Sequence, residues 1–369
     1  MPGEPLRIVI AGGGTGGHLY PGIAVARALK ARVPDAVVSF AGTAQGLEVR
    51  VVPREGFALD LIRSAGLKGK SIAALARGVT LLPASGWDAW RVVTRRQPDL
   101  VVGLGGYSAG PVVGAAVLRG IPTLLMEQNA VPGLTNRLLA RVVRAAAVTY
   151  ESTLSYFGAK GFVSGNPVRP EFFETGADGR INHGAPPRAA KVLIFGGSQG
   201  AHAINMAMVE AAPDLAAAAV SVDLTHQTGV RDLEVVRDAY RRAGLGARVE
   251  PFLYEMHREM TAADLLVCRA GATTLAEIAA AGRAAILIPL PTATDDHQRR
   301  NAEVLATAGA AEVVDQRDLS GRLLADRIVA LAADAGRRAR MAAAVRGFAR
   351  PDAADAIVDR VLALAAKRA

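Results

Sequence analysis

Two stretches of the chain start alike: RIVIAGGGTGG at residues 7–17 and KVLIFGGSQGA at residues 191–201 each join an apolar run, a glycine-rich turn and a helix-length segment. A strand feeding a tight glycine turn and a helix is the opening unit of a doubly wound parallel sheet, so the repeat predicts an α/β chain with two such domains. The length agrees, because 369 residues exceed the roughly 100–200 of an ordinary domain. Apolar runs such as RIVIAG, VVSFAG, PDLVVGLGG, PTLLMEQN and AAAVTY alternate with helical stretches such as PGIAVARALKAR. Around residues 165–190 the texture turns to proline, glycine and charge, as in a linker. The expected division is 1–165 and 166–349, with the helically spaced segment 350–369 packing back on a domain, the N-terminal one being the candidate. Open parallel sheets bind ligands at the carboxyl ends of their strands, so the site is expected where the two domains face each other across a cleft.

Composition narrows the partners. The 43 basic against 34 acidic residues give a net charge of +9, which favours phosphorylated ligands, anionic lipid or nucleic acid without choosing among them. A single cysteine, Cys268, rules out an intrachain disulfide and every multi-cysteine zinc site, and fits a reducing cytoplasm. The uncharged windows Ile8–Ala26 and Val101–Leu118 approach the roughly 20 residues that span a bilayer, but glycines and a proline break both. With no secretory n-region and h-region either, the chain is expected to be soluble or at most peripheral to a membrane.

The first turn satisfies G-x-G-x-x-G with Gly12, Gly14 and Gly17. A dinucleotide site also needs an acid ending the second strand, about 20 residues on, whereas VVSFAGT ends in Gly42 and Thr43. GLKGKS is not a P-loop, since Ser64 stands where that pattern needs glycine. The second turn, FGGSQGA, offers backbone amides at a helix start and the Ser198 hydroxyl, the features that hold a phosphate or diphosphate; a plain strand-to-helix turn is the alternative. CRAGATTLAEIAAAG sets another turn at a helix start with Glu277 one turn in, where a carboxylate can bridge two ribose hydroxyls or simply favour the helix dipole. His18, at the mouth of the first turn, is either a general base or ligand-orienting group, or a surface histidine.

Taken in order, GGGTGGHLYP, GGYSAGP, EQNAVPGLTNR, SGNPVR, GGSQGA, HQTG, CRAGATTLAEIAAAG and DDHQRRNA resemble the MurG family, from Ile8 to about Ala311. The resemblance implies a GT-B glycosyltransferase, peripheral on the cytoplasmic face of the cell membrane. Such an enzyme moves N-acetylglucosamine from UDP-GlcNAc to the C4 hydroxyl of the muramyl sugar of lipid I (undecaprenyl-diphosphoryl-MurNAc-pentapeptide), giving lipid II in peptidoglycan synthesis. It implies inversion at the anomeric centre by single displacement, no cofactor, and partners among cell-wall synthesis and division proteins. A metal-free mechanism agrees with the residues, because no Asp-x-Asp occurs; helix starts, Ser198 and Arg169 would then meet the charge growing on UDP.

Carried across by motif, Glu277 holds the ribose, Ala272, Thr273, Thr274, Leu275 and Ala276 line that side of the nucleotide, and the Leu253 backbone contacts uracil. Gln298 reads GlcNAc hydroxyls, while Thr15, Gly16, Gly17 and Asn129 complete the site from the other domain. His18 is the leading base candidate, with Tyr107 and Glu127 behind it; Tyr107 otherwise packs under its loop and Glu127 otherwise pairs with an arginine such as Arg137. The chain departs from the family pattern at Ser108 and Ala109, where valine and serine are usual, at His202, where arginine is common, and at His297, which with Gln298 replaces a frequent glutamine pair.

Residues 63–96 contain seven basic residues and one acid, with both tryptophans of the chain. Lys68, Lys70, Ile72, Leu75, Val79, Leu82, Trp87 and Trp90 form the candidate contact with an anionic membrane surface. The alternative is an amphipathic helix pair packed on the sheet, which must hold for some of Ile72, Leu75, Val79 and Leu82. Nucleic acid is the competing use of the charge, and no basic-aromatic binding motif supports it. Two further functions stay open: a UDP-GlcNAc 2-epimerase on the same scaffold, needing no lipid surface, and a non-catalytic UDP-sugar-binding module.

Overall fold

A computed structural model of the protein describes residues 4–64, 80–174, 189–197 and 200–366. The chain divides into two compact units, Met1–Val168 with Arg350–Ala369, and Arg169–Ala349.

The first unit holds a seven-stranded parallel sheet. Its strands are β1 (Arg7–Ala11), β2 (Val37–Gly42), β3 (Ala58–Leu61), β4 (Leu100–Gly103), β5 (Thr123–Glu127), β6 (Ala145–Val148) and β7 (Gly161–Val163), in the order β3-β2-β1-β4-β5-β6-β7. The second unit holds six, β8 (Ala190–Phe195), β9 (Val222–Gln227), β10 (Ala247–Glu250), β11 (Leu265–Cys268), β12 (Ala284–Leu287) and β13 (Glu312–Val313), in the order β10-β9-β8-β11-β12-β13. Every recorded pairing is parallel. Strands covered on both faces must be apolar throughout; LVVG of β4, LLVC of β11 and AAIL of β12 are buried at every position. In each unit the strand order reverses beside the first strand, between β1 and β4 and between β8 and β11. Such a switch point parts the two loops that follow its strands and opens a crevice between them.

Two helical layers cover the first sheet. On one side the Gly16–Arg32 helix packs with the Ala353–Ala366 helix, so that Ile357, Val358 and Val361 share a buried cluster with Ile8, Ile10, Leu19 and Ile23. On the other, Ala89, Val92 and Val93 of the Leu82–Arg96 helix join Val112, Val113 and Ala116 of the Ala109–Leu118 helix against Val9, Val101 and Leu125. In the second unit the His202–Ala217 helix and the Gly321–Ala333 helix bring Ile204, Met208, Leu324 and Ile328 onto β8 and β9. Each such fully buried aliphatic side chain is worth roughly 1.5–3 kcal/mol.

Candidate active site

In the first unit the loops after β1, β4 and β5 meet at the switch point. The turn after β1 is shaped by a residue with no sequence mark, Glu48. Its buried carboxylate accepts from the Gly14 amide at 2.8 Å and, through the other oxygen, from the Thr43 amide at 2.8 Å and hydroxyl at 3.1 Å. Gly13 has φ +149°, and a Cβ there would sit 2.6 Å from that carboxylate, so only glycine lets the acid approach.

His18 stands in the first turn of the Gly16–Arg32 helix, half-buried. Its ring lies against the loop after β4, where a Cβ on Gly105 would come within 3.4 Å of the ring and one on Gly106 within 3.7 Å. His18 Nδ1 is 3.0 Å from Gln128 Oε1, and Gln128 Nε2 donates to the Leu104 carbonyl at 3.2 Å. Tyr107, on the same loop, is exposed, and its hydroxyl lies 3.6 Å from where a Cβ on Gly14 would be. His18 and Tyr107 thus stand on the same two facing turns.

Glu127 behaves differently. It is buried, one oxygen accepts from the amide and the side chain of Asn129 at 3.0 and 3.1 Å, and the other from the Gly133 amide at 3.1 Å and Asn136 Nδ2 at 2.9 Å. Both oxygens are engaged in closing the EQNAVPG loop. Asn129, by the same bonds, is tied to that loop, and the buried Asn136 also donates to the Met126 carbonyl at 3.0 Å. Thr15 is the exposed N-cap of the Gly16–Arg32 helix with no side-chain capping bond, and that helix has no acid in its first turn. Gly16 and Gly17 are its first residues.

In the second unit Ser198 lies outside the described residues, but the turn on either side of it is held by the HQTG loop after β9. Gln227 Nε2 donates to the Gly197 carbonyl at 2.8 Å. Gly200, at φ +74°, is so close to the Thr228 carbonyl that a Cβ would stand 1.9 Å from the oxygen. Asn205 donates to the same carbonyl at 2.9 Å and to Asp232 at 2.8 Å, and His202 Nδ1 meets Asp232 at 3.0 Å. Burial works against its charge, yet Asp232 is held below the usual carboxylate range by Asn205 and His202. His226 lies between Asn205 Oδ1 at 3.1 Å and the Tyr240 hydroxyl at 2.7 Å, and burial pushes it down to about 3, so it stays neutral.

Beside this turn, β11 runs into the Ala272–Ala281 helix, whose N-cap Gly271 supplies no side chain to the first-turn amides. Ala272 and Leu275 are buried, and Thr273, Thr274 and Ala276 half-buried. Glu277, its side chain 16% exposed, is 3.6 Å from Arg169. Burial raises its carboxyl to about 7, with Arg169 opposing the shift. Arg169 also stacks 5.1 Å from the Phe172 ring. Gln298 turns its oxygen inward, accepting from the Leu290 amide at 3.0 Å and the Ala270 amide at 3.3 Å, so its NH2 group is the end available to a ligand. Leu253 is buried between exposed Phe252 and Tyr254. Arg269, unmarked in the sequence, binds the Ile288 carbonyl at 3.0 Å and Gln316 at 2.7 Å, joining the ends of β11 and β12.

Of the candidate membrane surface, Lys68, Lys70, Ile72, Leu75 and Val79 lie outside the described residues. Leu82, Trp87 and Trp90 are exposed at 49%, 62% and 43% on the Leu82–Arg96 helix. Arg119 stacks 5.2 Å from Trp90, and Arg63 grips Asp88 with two bonds of 2.7 and 2.8 Å. No helix among the described residues is long and apolar enough to cross a membrane.

Residues 8–148 match the glycosyltransferase family 28 N-terminal domain and residues 191–357 the family 28 C-terminal domain. The chain is 46% identical over 364 residues, covering 98% of it and 94% of the relative, to a UDP-N-acetylglucosamine--N-acetylmuramyl-(pentapeptide) pyrophosphoryl-undecaprenol N-acetylglucosamine transferase of Anaeromyxobacter sp. (strain K). It is 43% identical to the protein of that name in Myxococcus xanthus, covering 96% and 92%. Among solved structures, Acinetobacter baumannii MurG superposes with a TM-score of 0.79 at 32% identity, covering 97% of this chain and 99% of that one. The UDP-GlcNAc 2-epimerase of Neisseria meningitidis shares the fold, with a TM-score of 0.67 at 14% identity, covering 96% and 99%. Two parallel doubly wound sheets, the two family 28 domains and near full-length likeness together make this a GT-B chain, and it belongs to the MurG family of glycosyltransferase family 28.

Proposed function

We infer that the protein transfers N-acetylglucosamine from UDP-GlcNAc to the C4 hydroxyl of the muramyl sugar of lipid I, giving lipid II and UDP. The full-length identity to transferases of that name supports this over an epimerase, whose likeness extends to fold alone. The observation that carries the chemistry is the seat of His18, on a helix start between two glycine turns with one ring nitrogen held. His18 takes the proton of the C4 hydroxyl while that oxygen bonds to the sugar C1, and the C1–O bond to UDP breaks on the opposite face with its electron pair leaving on the diphosphate. One displacement of this kind inverts the anomeric centre. Tyr107 lies within the same rim and orients the acceptor, whereas Glu127 keeps the loop closed.

In the second unit the uncapped Ala272 helix start and the turn around Ser198 meet the diphosphate without a metal. Nucleotide binding separates the long Arg169–Glu277 pair: the carboxylate turns to the ribose hydroxyls and the guanidinium to the diphosphate. Gln298 presents its NH2 to the sugar, and the Leu253 backbone contacts uracil. Thr15, Gly16, Gly17 and Asn129 serve the donor sugar and diphosphate from the first unit. Leu82, Trp87 and Trp90, with the basic residues around them, rest peripherally on anionic lipid at the cytoplasmic face, where lipid I is presented.

The test is transfer of labelled N-acetylglucosamine to a lipid I analogue, with and without EDTA, in wild type and His18→Ala. Lipid II formation unaffected by EDTA is expected, with turnover lost and UDP-GlcNAc binding kept in the variant. UDP-GlcNAc binding without transfer would overturn the reading, and UDP-ManNAc as product would replace it with the epimerase.

A further inference from the structure

Gln128 is buried at the carboxyl end of β5, next to the loop-closing Glu127. Its two bonds determine each other. The Leu104 carbonyl can only accept, so the atom facing it at 3.2 Å is the amide nitrogen. The amide oxygen is therefore the atom 3.0 Å from His18 Nδ1, and having no proton to give, it must receive one. Leu104 is itself fixed, its amide donating to the Ala11 carbonyl at the end of β1 at 2.8 Å. A Cβ at Gly105 or Gly106 would stand in van der Waals contact with the ring, so the backbone of the loop after β4 borders this seat.

The geometry points to Gln128 as a positioning residue that holds His18 in the Nδ1–H tautomer, leaving the lone pair on Nε2 to receive the acceptor's hydroxyl proton. This rests on the reading of His18 as general base. The choice of an amide has a consequence of its own. Where a carboxylate holds a catalytic histidine it also stabilises the imidazolium formed in the reaction; a glutamine fixes the tautomer without adding charge. The imidazolium formed in each transfer then meets a neutral amide at Nδ1 in place of a carboxylate. The other titratable groups nearby are Tyr107 over Gly14, Glu48 on the Gly14 amide and Glu127 closed on its loop. Among the described residues none of these bonds the ring.

Nitrogen-15 NMR of the full-length chain, assigned through His18→Ala, should show His18 protonated at Nδ1 in the neutral form. In Gln128→Leu, kcat should fall about 10- to 100-fold as the tautomer is released, while KM for UDP-GlcNAc stays within about twofold. In Gln128→Glu, which keeps an oxygen facing Nδ1 and adds charge while giving up the bond to the Leu104 carbonyl, the acidic limb of the kcat profile should move up by about one pH unit. An Nε2–H tautomer in wild type would overturn the proposal, as would a Gln128→Glu profile whose acidic limb does not move. Should Gln128→Leu fail to fold, the wild-type spectrum and the Gln128→Glu profile still decide. Full turnover in His18→Ala would instead remove the base reading, and the tautomer measured in wild type would stand apart from it.

Discussion

After β1 the glycine turn leans on a carboxylate, with Glu48 beneath it accepting from Gly14; after β8 the corresponding turn leans on neutral groups, with Gln227 holding Gly197 and Gly200 pressed on the Thr228 carbonyl. A buried acid under the first turn occupies one of its amides and places negative charge behind it, a poor setting for the larger share of a nucleoside diphosphate. In the second turn Gln227 braces the Gly197 carbonyl, which also accepts from the Gly200 amide at 2.9 Å, so the charge-free bracing leaves this turn the better setting for phosphate. Two turns that begin from the same strand–glycine pattern therefore differ in what lies behind them.

The first way to break this comparison is His18→Ala, expected to lower kcat about 1,000-fold while leaving UDP-GlcNAc affinity unchanged in calorimetry. A parallel loss of nucleotide binding would mean that the two turns do not divide the labour. Next come the braces themselves. Glu48→Ala strands the Thr43 and Gly14 amides, and Gly200→Ala drives a methyl into the Thr228 carbonyl; each should cost about 2–4 kcal/mol in denaturant melts. Gly197→Ala, with nothing within 4 Å of its Cβ but a positive φ, should cost only about 1 kcal/mol. Equal losses for Gly197→Ala and Gly200→Ala would show that the HQTG loop yields.

Glu277 sharpens the contrast through pH. Its carboxyl is raised to about 7 in the folded chain, while ribose hydroxyls bind the ionised form, so UDP-GlcNAc affinity should rise about tenfold from pH 6 to pH 8. The sign for stability is opposite. An acid whose folded value exceeds its unfolded one favours the fold at low pH, and that advantage is lost as pH rises from about 4.5 through 7. Glu277→Gln should thus flatten both profiles, weakening nucleotide binding about tenfold at pH 8 while raising Tm there. A variant with unchanged pH dependence of binding would remove Glu277 from the ribose. The smallest effect is expected outside both turns: Trp87→Ser with Trp90→Ser should reduce binding to anionic vesicles roughly threefold to tenfold, with soluble-acceptor turnover retained.

The strands and both glycine turns were legible because their signals are local: apolar runs such as LLVC and AAIL, and glycines spaced for a strand-to-helix turn. Glu277 and Gln298 were legible only through motifs. Glu48, Gln128, Asn136 and Asn205 were not legible at all, because each is a lone polar residue whose partner is set by sheet order rather than by spacing. Gln128 meets His18 only because β1, β4 and β5 lie side by side, and Asn205 meets Asp232 only because β8 and β9 do. Glu127 shows the converse, a carboxylate whose sequence setting fits a base and whose surroundings commit it to Asn129, Gly133 and Asn136.

The Ala353–Ala366 helix carries a consequence for how the chain is made. Ile357, Val358 and Val361 complete a cluster begun by Ile8, Ile10 and Leu19, yet they leave the ribosome only after the whole Arg169–Ala349 unit. Until residues 357–361 are in place the first unit keeps an open apolar flank along the Gly16–Arg32 helix, whereas the Arg169–Ala349 unit draws its core from one continuous stretch of chain. The first unit, begun first, can therefore be completed only after the whole of the second has been synthesised.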